Sequence, residues 1–388
     1  MAKRIVICCD GTGNEINENQ SNVLKFYRIL KKDETQVTFY DPGVGTISDS
    51  GAWSDLKNKA KGVFGLATGY GLDANVLDAY RFLMRNYQKG DDVYLFGFSR
   101  GAYTVRVLAG FINLVGLLEP QQEHLCSYAL TAYKQASAKH EFKIAWRVQE
   151  VLGTERITIR FMGCWDTVGS VIIPRPDRLY IPALESLPFT QKNPCVQAFR
   201  HAIAIDERRR MFRLSTWEEP QKFKTNPFVK DADAADQDIK QIWFSGVHSD
   251  IGGGYPESES GAAKIPLNWM VEEARQHGLV YRERMVKRLV LGENPENSTR
   301  NYAAPDPQAG LHNSMGWAWR VLEWLPKSAK RKVWPGRGSA LGVYFPRSEP
   351  RFIPDGAEID PSVWARQEAS GTVAPYAPVN LPPPPAGS

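Results

Sequence analysis

Along this chain five short apolar runs each stop at a loop rich in Asp, Ser, His or Gly, and helical periodicity fills the gaps between them. The runs are Arg4 to Cys9, Gln36 to Tyr40, Asp92 to Phe98, Arg156 to Trp165 and Ile239 to Val247. Helices are expected over Val23 to Leu30, Asn75 to Tyr87, from Ala102 to Phe111, and over Cys126 to Ala136, Ala145 to Val151, Pro194 to Arg210 and Asn268 to His277. Strands alternating with helices predict a mainly parallel sheet covered on both faces. Functional loops of such sheets lie at the carboxyl ends of the strands. That all five runs close on side chains able to do chemistry constrains the chain more than any single motif.

With 43% apolar residues the chain can bury a large core, and its net charge of +5 is too small to announce nucleic acid. Cys8, Cys9, Cys126, Cys164 and Cys195 form no CxxC pair and are odd in number, which argues against a disulfide framework or a zinc site. The first apolar stretch, Ile5 to Ile7, is too short for a signal peptide, and charges interrupt every later run before the ~18 residues of a membrane span. The expectation is a chain that is cytoplasmic when synthesised, with export requiring a leaderless route. Residues 1–354 read as one catalytic domain with insertions. Residues 355–388 read as a Pro/Ala-rich tail unable to form a helix or central strand, either wrapped on the surface or disordered.

Gly97-Phe98-Ser99-Arg100-Gly101 fits G-x-S-x-G, with the apolar strand Val93 to Phe96 before it and the helix from Ala102 after it. In a nucleophile elbow the serine occupies a strained turn, and glycines two residues either side let strand and helix approach closely. The Arg100 N–H then faces a developing oxyanion, helped by the helix N-terminus. The competing reading is a small-residue turn with Ser99 as a helix N-cap.

A serine hydroxyl needs a histidine to take its proton and a carboxylate to orient the imidazole. Of the six histidines, His248 follows the apolar run Ile242 to Val247 and precedes Ser249-Asp250-Ile251-Gly252-Gly253-Gly254, on a loop after a late strand. His201, within an expected helix, and His312 are the competitors. Asp166 ends the run Ile157 to Trp165, where a buried carboxylate needs a partner. It produces the chain order Ser, Asp, His. Asp206, in a cluster that surface ion pairing explains, and Asp250, a possible cap, remain alternatives. The loop after the first strand, Asp10 to Asn14, offers the N–H of Gly11 or Thr12 as a second oxyanion donor, with Asp10 bracing the loop. It lacks the Gly-Lys-Ser/Thr of a phosphate-binding P-loop and the third glycine of a dinucleotide fingerprint.

These features together predict an α/β-hydrolase fold, a mainly parallel central sheet with helices on both faces and helical insertions. The predicted chemistry is ester hydrolysis by Ser99, His248 and Asp166, with no metal or organic cofactor. The motifs Cys9-Asp10-Gly11-Thr12-Gly13-Asn14, Gly97 to Tyr103, Trp165-Asp166-Thr167-Val168-Gly169, His201 to Arg208 and Gly246 to Tyr255 occur in the order of a known family. The chain resembles the bacterial α/β-hydrolase family, formerly a domain of unknown function, that includes the first family of type VI secretion phospholipase effectors. Tyr376-Ala-Pro378-Val-Asn380-Leu381-Pro382 is similar to that family's end. The resemblance implies a Ser99–Asp166–His248 triad, a glycerophospholipid acyl ester as substrate, transient contact with a membrane surface, and a secretion-system or immunity partner. A carboxylesterase acting on small soluble esters, or a non-catalytic binding module, are the alternatives.

Two segments bear on substrate choice. Trp317, Trp319, Trp324 and Trp334 lie among Arg320, Lys327, Lys330, Arg331, Lys332 and Arg337. They suit a lipid interface, or an amphipathic helix whose tryptophans pack on the body, which is the preferred reading. The Gly-rich run Val63 to Leu72 is either a flap near the site or an ordinary packed loop.

Overall fold

In a computed structural model of the chain, the described residues are 2–11, 19–43, 70–139, 143–169, 171–174, 182–185, 187, 189–226, 230–329, 332–369 and 376–383. The first half runs β1 (Arg4–Cys9), α1 (Asn22–Ile29), β2 (Gln36–Asp41), α2 (Tyr70–Asn86), β3 (Asp92–Phe98), α3 (Arg100–Val115), α4 (Cys126–Lys139), α5 (Lys143–Leu152) and β4 (Ile159–Trp165). The second half holds β5 (Val196–Ala204), β6 (Asp238–Phe244), α6 (His248–Gly252), α7 (Gly261–Gln276), α8 (Glu283–Leu289), α9 (Trp317–Glu323), β7 (Glu358–Ile359) and α10 (Pro361–Glu368). The seven strands form one sheet in the order β7-β6-β5-β4-β3-β1-β2, and every neighbouring pair is parallel.

Both faces of this sheet are covered, which is why its strands read as continuous apolar runs rather than alternating ones. On β1, Ile5, Ile7 and Cys9 join α2 and α3 in one core, while Val6 and Cys8 join α1 and α7 in another. All five cysteines are buried and unpaired, as small hydrophobes of these cores.

Register brings the chemistry-bearing loops to one edge. Cys9 pairs with Gly97, Phe98 with Trp165, and Trp165 with Ala202, so Asp10, Ser99 and Asp166 all emerge just beyond aligned strand ends. The chain leaves β1 for β2 on one side, whereas β3 lies on the other. The boundary between β1 and β3 is therefore the sheet's topological switch point, the usual ligand position in an open parallel sheet.

Three readings of the sequence are corrected here. Pro194 to Arg210, expected to be helical, contains the central strand β5. Its residues Val196, Phe199, Arg200 and Ile203 imitate helical spacing, because a strand buried on both faces loses its period-2 signal. The tail from 355, expected to hold neither a helix nor a central strand, adds only an edge strand, β7 on β6, but does form α10, where Pro361 sits at the first helical position and the Asp360 side chain accepts from Ser362 N. Proline there sacrifices no helical hydrogen bond and its ring pre-sets the backbone angle. Finally, the tryptophans of α9 do not all pack on the body. Trp319 lies against Phe212, with ring centroids 5.7 Å apart, but Trp317 is 82% exposed and Trp324 58%. Of the Gly-rich run Val63 to Leu72, residues 63–69 lie outside the described residues and the last three begin α2.

Candidate active site

Ser99 links β3 to α3 with φ 57° and ψ −120°, a backbone conformation that costs a non-glycine residue on the order of 1–3 kcal/mol. It stands at the N-cap position of α3, yet its hydroxyl makes no capping hydrogen bond. Instead Ser99 Oγ lies 2.8 Å from His248 Nε2. The turn is possible because its two glycines have no side chains. A methyl on Gly97 would strike the backbone of Gly101 and Ala102, and one on Gly101 would overlap the Cys9 and Asp10 carbonyls at the end of β1. Gly101→Ala is therefore expected to lose about 3 kcal/mol or more, because the obstacle is backbone that cannot rotate away. Thermal unfolding checks this, and an unchanged Tm would show the β1–α3 approach to be looser than described.

His248 opens α6, four residues beyond the end of β6 at Phe244. Its Nδ1 is 2.5 Å from Asp166 Oδ2, so the ring spans the gap between carboxylate and serine. Rings of Phe98 and Phe212 stand 4.6 and 4.9 Å from the imidazole centroid and restrict its rotation. The His248 backbone N–H donates to Glu207 Oε2 at 3.2 Å, and Glu207 is itself buried and paired with Arg209.

Asp166 follows β4, also at positive φ (38°), and is fully buried. Its Oδ1 accepts from Ala204 N at 3.0 Å. Arg351 grips both oxygens, Nη1 to Oδ1 at 2.5 Å and Nη2 to Oδ2 at 3.0 Å, and also donates to the Ala204 and Phe212 carbonyls. Burial alone would raise the Asp166 pKa. The Arg351 charge and the His248 contact outweigh it and hold the carboxyl well below the usual range. Asp166 therefore stays ionised across the neutral range.

The competing residues are engaged elsewhere. Asp206 Oδ2 accepts from Gly246 N and Tyr376 Oη, bracing the loop before His248. It is not part of a surface ion-pair cluster, and its neighbour Glu207 is 1% exposed. Asp250 accepts from Val247 N and from His312 Nδ1, while His312 Nε2 contacts Glu259 and its ring stacks on Tyr255. His201 lies on β5 rather than in a helix. Its Nε2 accepts from Thr167 N at 3.1 Å beneath Asp166, and burial followed by the nearby Arg106 charge pushes its pKa far down, leaving it neutral.

Of the expected oxyanion donors, Arg100 N–H lies in the first turn of α3, where N–H groups have no partner within the helix. The Gly11 N–H, expected to face the oxyanion, is donated to Asp10 Oδ1 at 2.7 Å. Asp10 also accepts from Ser21 Oγ and from Tyr40 Oη, and its charge draws in the nearest donor. Thr12 lies outside the described residues.

Arg351, Glu207 and Phe212 went unnoticed in the sequence. Arg351 lies 185 positions from Asp166 in an irregular stretch, Pro350 to Pro354, with no motif around it. Only the unbalanced buried Asp166 signalled that some cation was owed.

A parallel sheet with a serine on a strained strand-to-helix turn at its switch point defines the α/β-hydrolase class, here of the lipase and esterase type. Residues 3–273 match the family model described as "T6SS, Phospholipase effector Tle1-like, catalytic domain", and the chain belongs to that family. A curated relative, an uncharacterized protein of Saccharomyces cerevisiae, is 33% identical over 230 residues, 54% of this chain and 32% of that protein. The chain thus spans about a third of that relative's length. Among solved structures, an uncharacterized protein from Pseudomonas aeruginosa is 20% identical with a TM-score of 0.38, covering 72% of this chain and 46% of that one. The Tle1 effector bound to the VgrG spike of the type VI secretion system is 19% identical with a TM-score of 0.33, covering 67% and 52%. Thermogutta terrifontis esterase 2 is 11% identical with a TM-score of 0.34, covering 72% and 85%.

Proposed function

We propose that the chain hydrolyses acyl esters of glycerophospholipids through a Ser99–His248–Asp166 triad. The observation that carries this reading is the unbroken hydrogen-bond line from Asp166 Oδ2 through His248 to Ser99 Oγ, at 2.5 and 2.8 Å. The Ser99 oxygen attacks the acyl carbonyl carbon while His248 Nε2 takes its proton. Asp166 holds the Nδ1–H tautomer and balances the imidazolium that forms. The Arg100 N–H receives the oxyanion. Collapse of the tetrahedral intermediate expels the glycerol-side alkoxide, which takes the proton from His248. Water, deprotonated by the same nitrogen, then releases the fatty acid and restores the Ser99 hydroxyl. Every proton is accounted for by His248, so this sequence of steps needs no metal or organic cofactor.

The phospholipid as substrate and a type VI secretion apparatus as partner follow from the family, and both belong to this proposal. No helix among the described residues is long and apolar enough to cross a membrane, so on this reading the lipid is met at a membrane surface.

A fluorophosphonate probe followed by peptide mapping, with a phospholipid panel analysed for products, tests the proposal. Stoichiometric labelling at Ser99 together with release of fatty acid and lysophospholipid is expected. Labelling with turnover of small soluble esters alone would move the substrate to the carboxylesterase class. Absence of both labelling and ester turnover would remove the mechanism.

A further inference from the structure

We propose that residues 317–329 and 332–352 form a docking face for an anionic phospholipid bilayer, placed beside the site. The inference rests on the lipid reading of that site and adds how the substrate is approached. Of the twelve large apolar side chains exposed among the described residues, eight fall in this stretch. Such a concentration is an interaction surface, whereas single exposed apolar residues are ordinary. Trp317 and Trp324 are the largest of them, and Leu341 is fully exposed.

The charge of the same stretch is one-sided. Among the described residues from Trp317 to Glu349 there are five Lys and Arg (Arg320, Lys327, Lys332, Arg337 and Arg347) but only two acids, Glu323 and Glu349. Both acids are buried, 1% and 3% exposed, so they present no negative charge outward. Arg320 and Arg347 are exposed, and the Arg347 guanidinium lies 4.5 Å over the Trp324 ring.

These residues share one local structure. Arg347 N donates to the Glu323 carbonyl at the end of α9, and Lys327–Ser328 pairs antiparallel with Val343–Tyr344. The face also reaches the site. On α9, Trp319 packs 5.7 Å from Phe212, and Phe212 packs 4.9 Å from His248. The helix that turns Trp317 outward therefore packs its other side, through Trp319, toward the imidazole.

The chemistry selects lipid over other polyanions. A nucleic acid would pair with the cations but leave Val321, Leu325, Leu341 and Val343 in water. A bilayer takes both, since aromatic and aliphatic groups enter the headgroup–acyl boundary while cations meet anionic headgroups.

Flotation of the full chain with vesicles of phosphatidylcholine alone, and of phosphatidylcholine mixed with phosphatidylglycerol, tests the face. Wild type is expected to float with the mixed vesicles and to detach as salt rises. Trp317→Ser with Trp324→Ser is expected to weaken binding to them by about tenfold, and Arg320→Glu with Arg347→Glu to abolish the preference for the anionic lipid. Turnover of a soluble short-chain ester, unchanged in both variants, shows that the site remains intact. Wild type that stays unbound, or variants that float like wild type, would overturn the proposal. Loss of soluble-ester turnover in wild type itself would instead strike the catalytic reading, and flotation would still report on the face.

Discussion

Alanine at position 99 is expected to lower kcat on any ester substrate by about 10⁶-fold, with Asp166 and His248 still in place. The size follows from how the three groups act. On the proposed mechanism, His248 Nε2 would take the proton of Ser99 Oγ, 2.8 Å away. Without the hydroxyl, neither the proposed base nor the carboxylate behind it would have a role in forming an acyl-enzyme. What survives is binding and the Arg100 N–H, of the order of 10³–10⁴ over water. The same position permits a second measurement. Ser99 sits at φ 57°, a conformation glycine adopts without strain. Ser99→Gly should be as inactive as Ser99→Ala but more stable than it by about 1–3 kcal/mol. Steady-state kinetics with differential scanning calorimetry of both variants reads the two effects separately. Equal melting temperatures would mean that the elbow stores no strain.

Arg351→Met is expected to cost about 3–5 kcal/mol of stability, the second largest effect. The guanidinium is the only cation holding both oxygens of the fully buried Asp166 among the described residues. Its removal leaves a charge in the interior with one histidine and one backbone N–H. The pH dependence has a definite sign. In wild type the carboxyl pKa is depressed against burial by Arg351 and His248, so its stabilisation is present above the unfolded value of ~3.9 and is lost as pH falls through the lower folded value. In the variant the Arg351 charge no longer opposes burial, so the folded pKa rises from its wild-type position. Protonation then relieves the penalty of the buried charge at a higher pH than in wild type. The stability gap between wild type and Arg351→Met should therefore be widest at neutral pH and narrow below about pH 4. On the proposed mechanism a protonated Asp166 would fail to hold the imidazolium, so kcat should fall. Arg351→Lys should recover part of the stability, since it restores the charge but not the two-pronged contact. Urea unfolding of the three proteins from acid to neutral pH decides the matter, and a gap independent of pH would contradict the clamp.

Local pattern carried the readings that succeeded, and long-range contact the ones that failed. The runs at Arg4, Asp92 and Arg156 are strands because apolar residues on both faces leave only the middle of a covered sheet for them, and chemistry at their ends emerges through parallel register. Position relative to strand ends also marks Asp166, one step beyond Trp165, and His248, four residues beyond Phe244. The β5 reading failed for the same physical reason that the others worked. Val196 to Ala204 is buried on both faces, and its spacing by chance matches a helical turn as well as a strand. The tail from 355 failed because proline content argues against helix interiors, whereas Pro361 stands at a helix start.

The sequence by itself determined the layered α/β architecture, the glycine-flanked turn at Ser99 and the strand-end positions of His248 and Asp166, because burial, backbone freedom and turn chemistry act within a few residues. The tertiary structure alone decided which carboxylate reaches His248, that Arg351 comes back across 185 positions to hold it, that Asp10 captures the Gly11 N–H, and that Trp317 and Trp324 face outward. Each of these is a choice among several chemically equivalent partners. Side-chain chemistry sets which pairs are favourable, but only the folded path of the chain sets which of them meet.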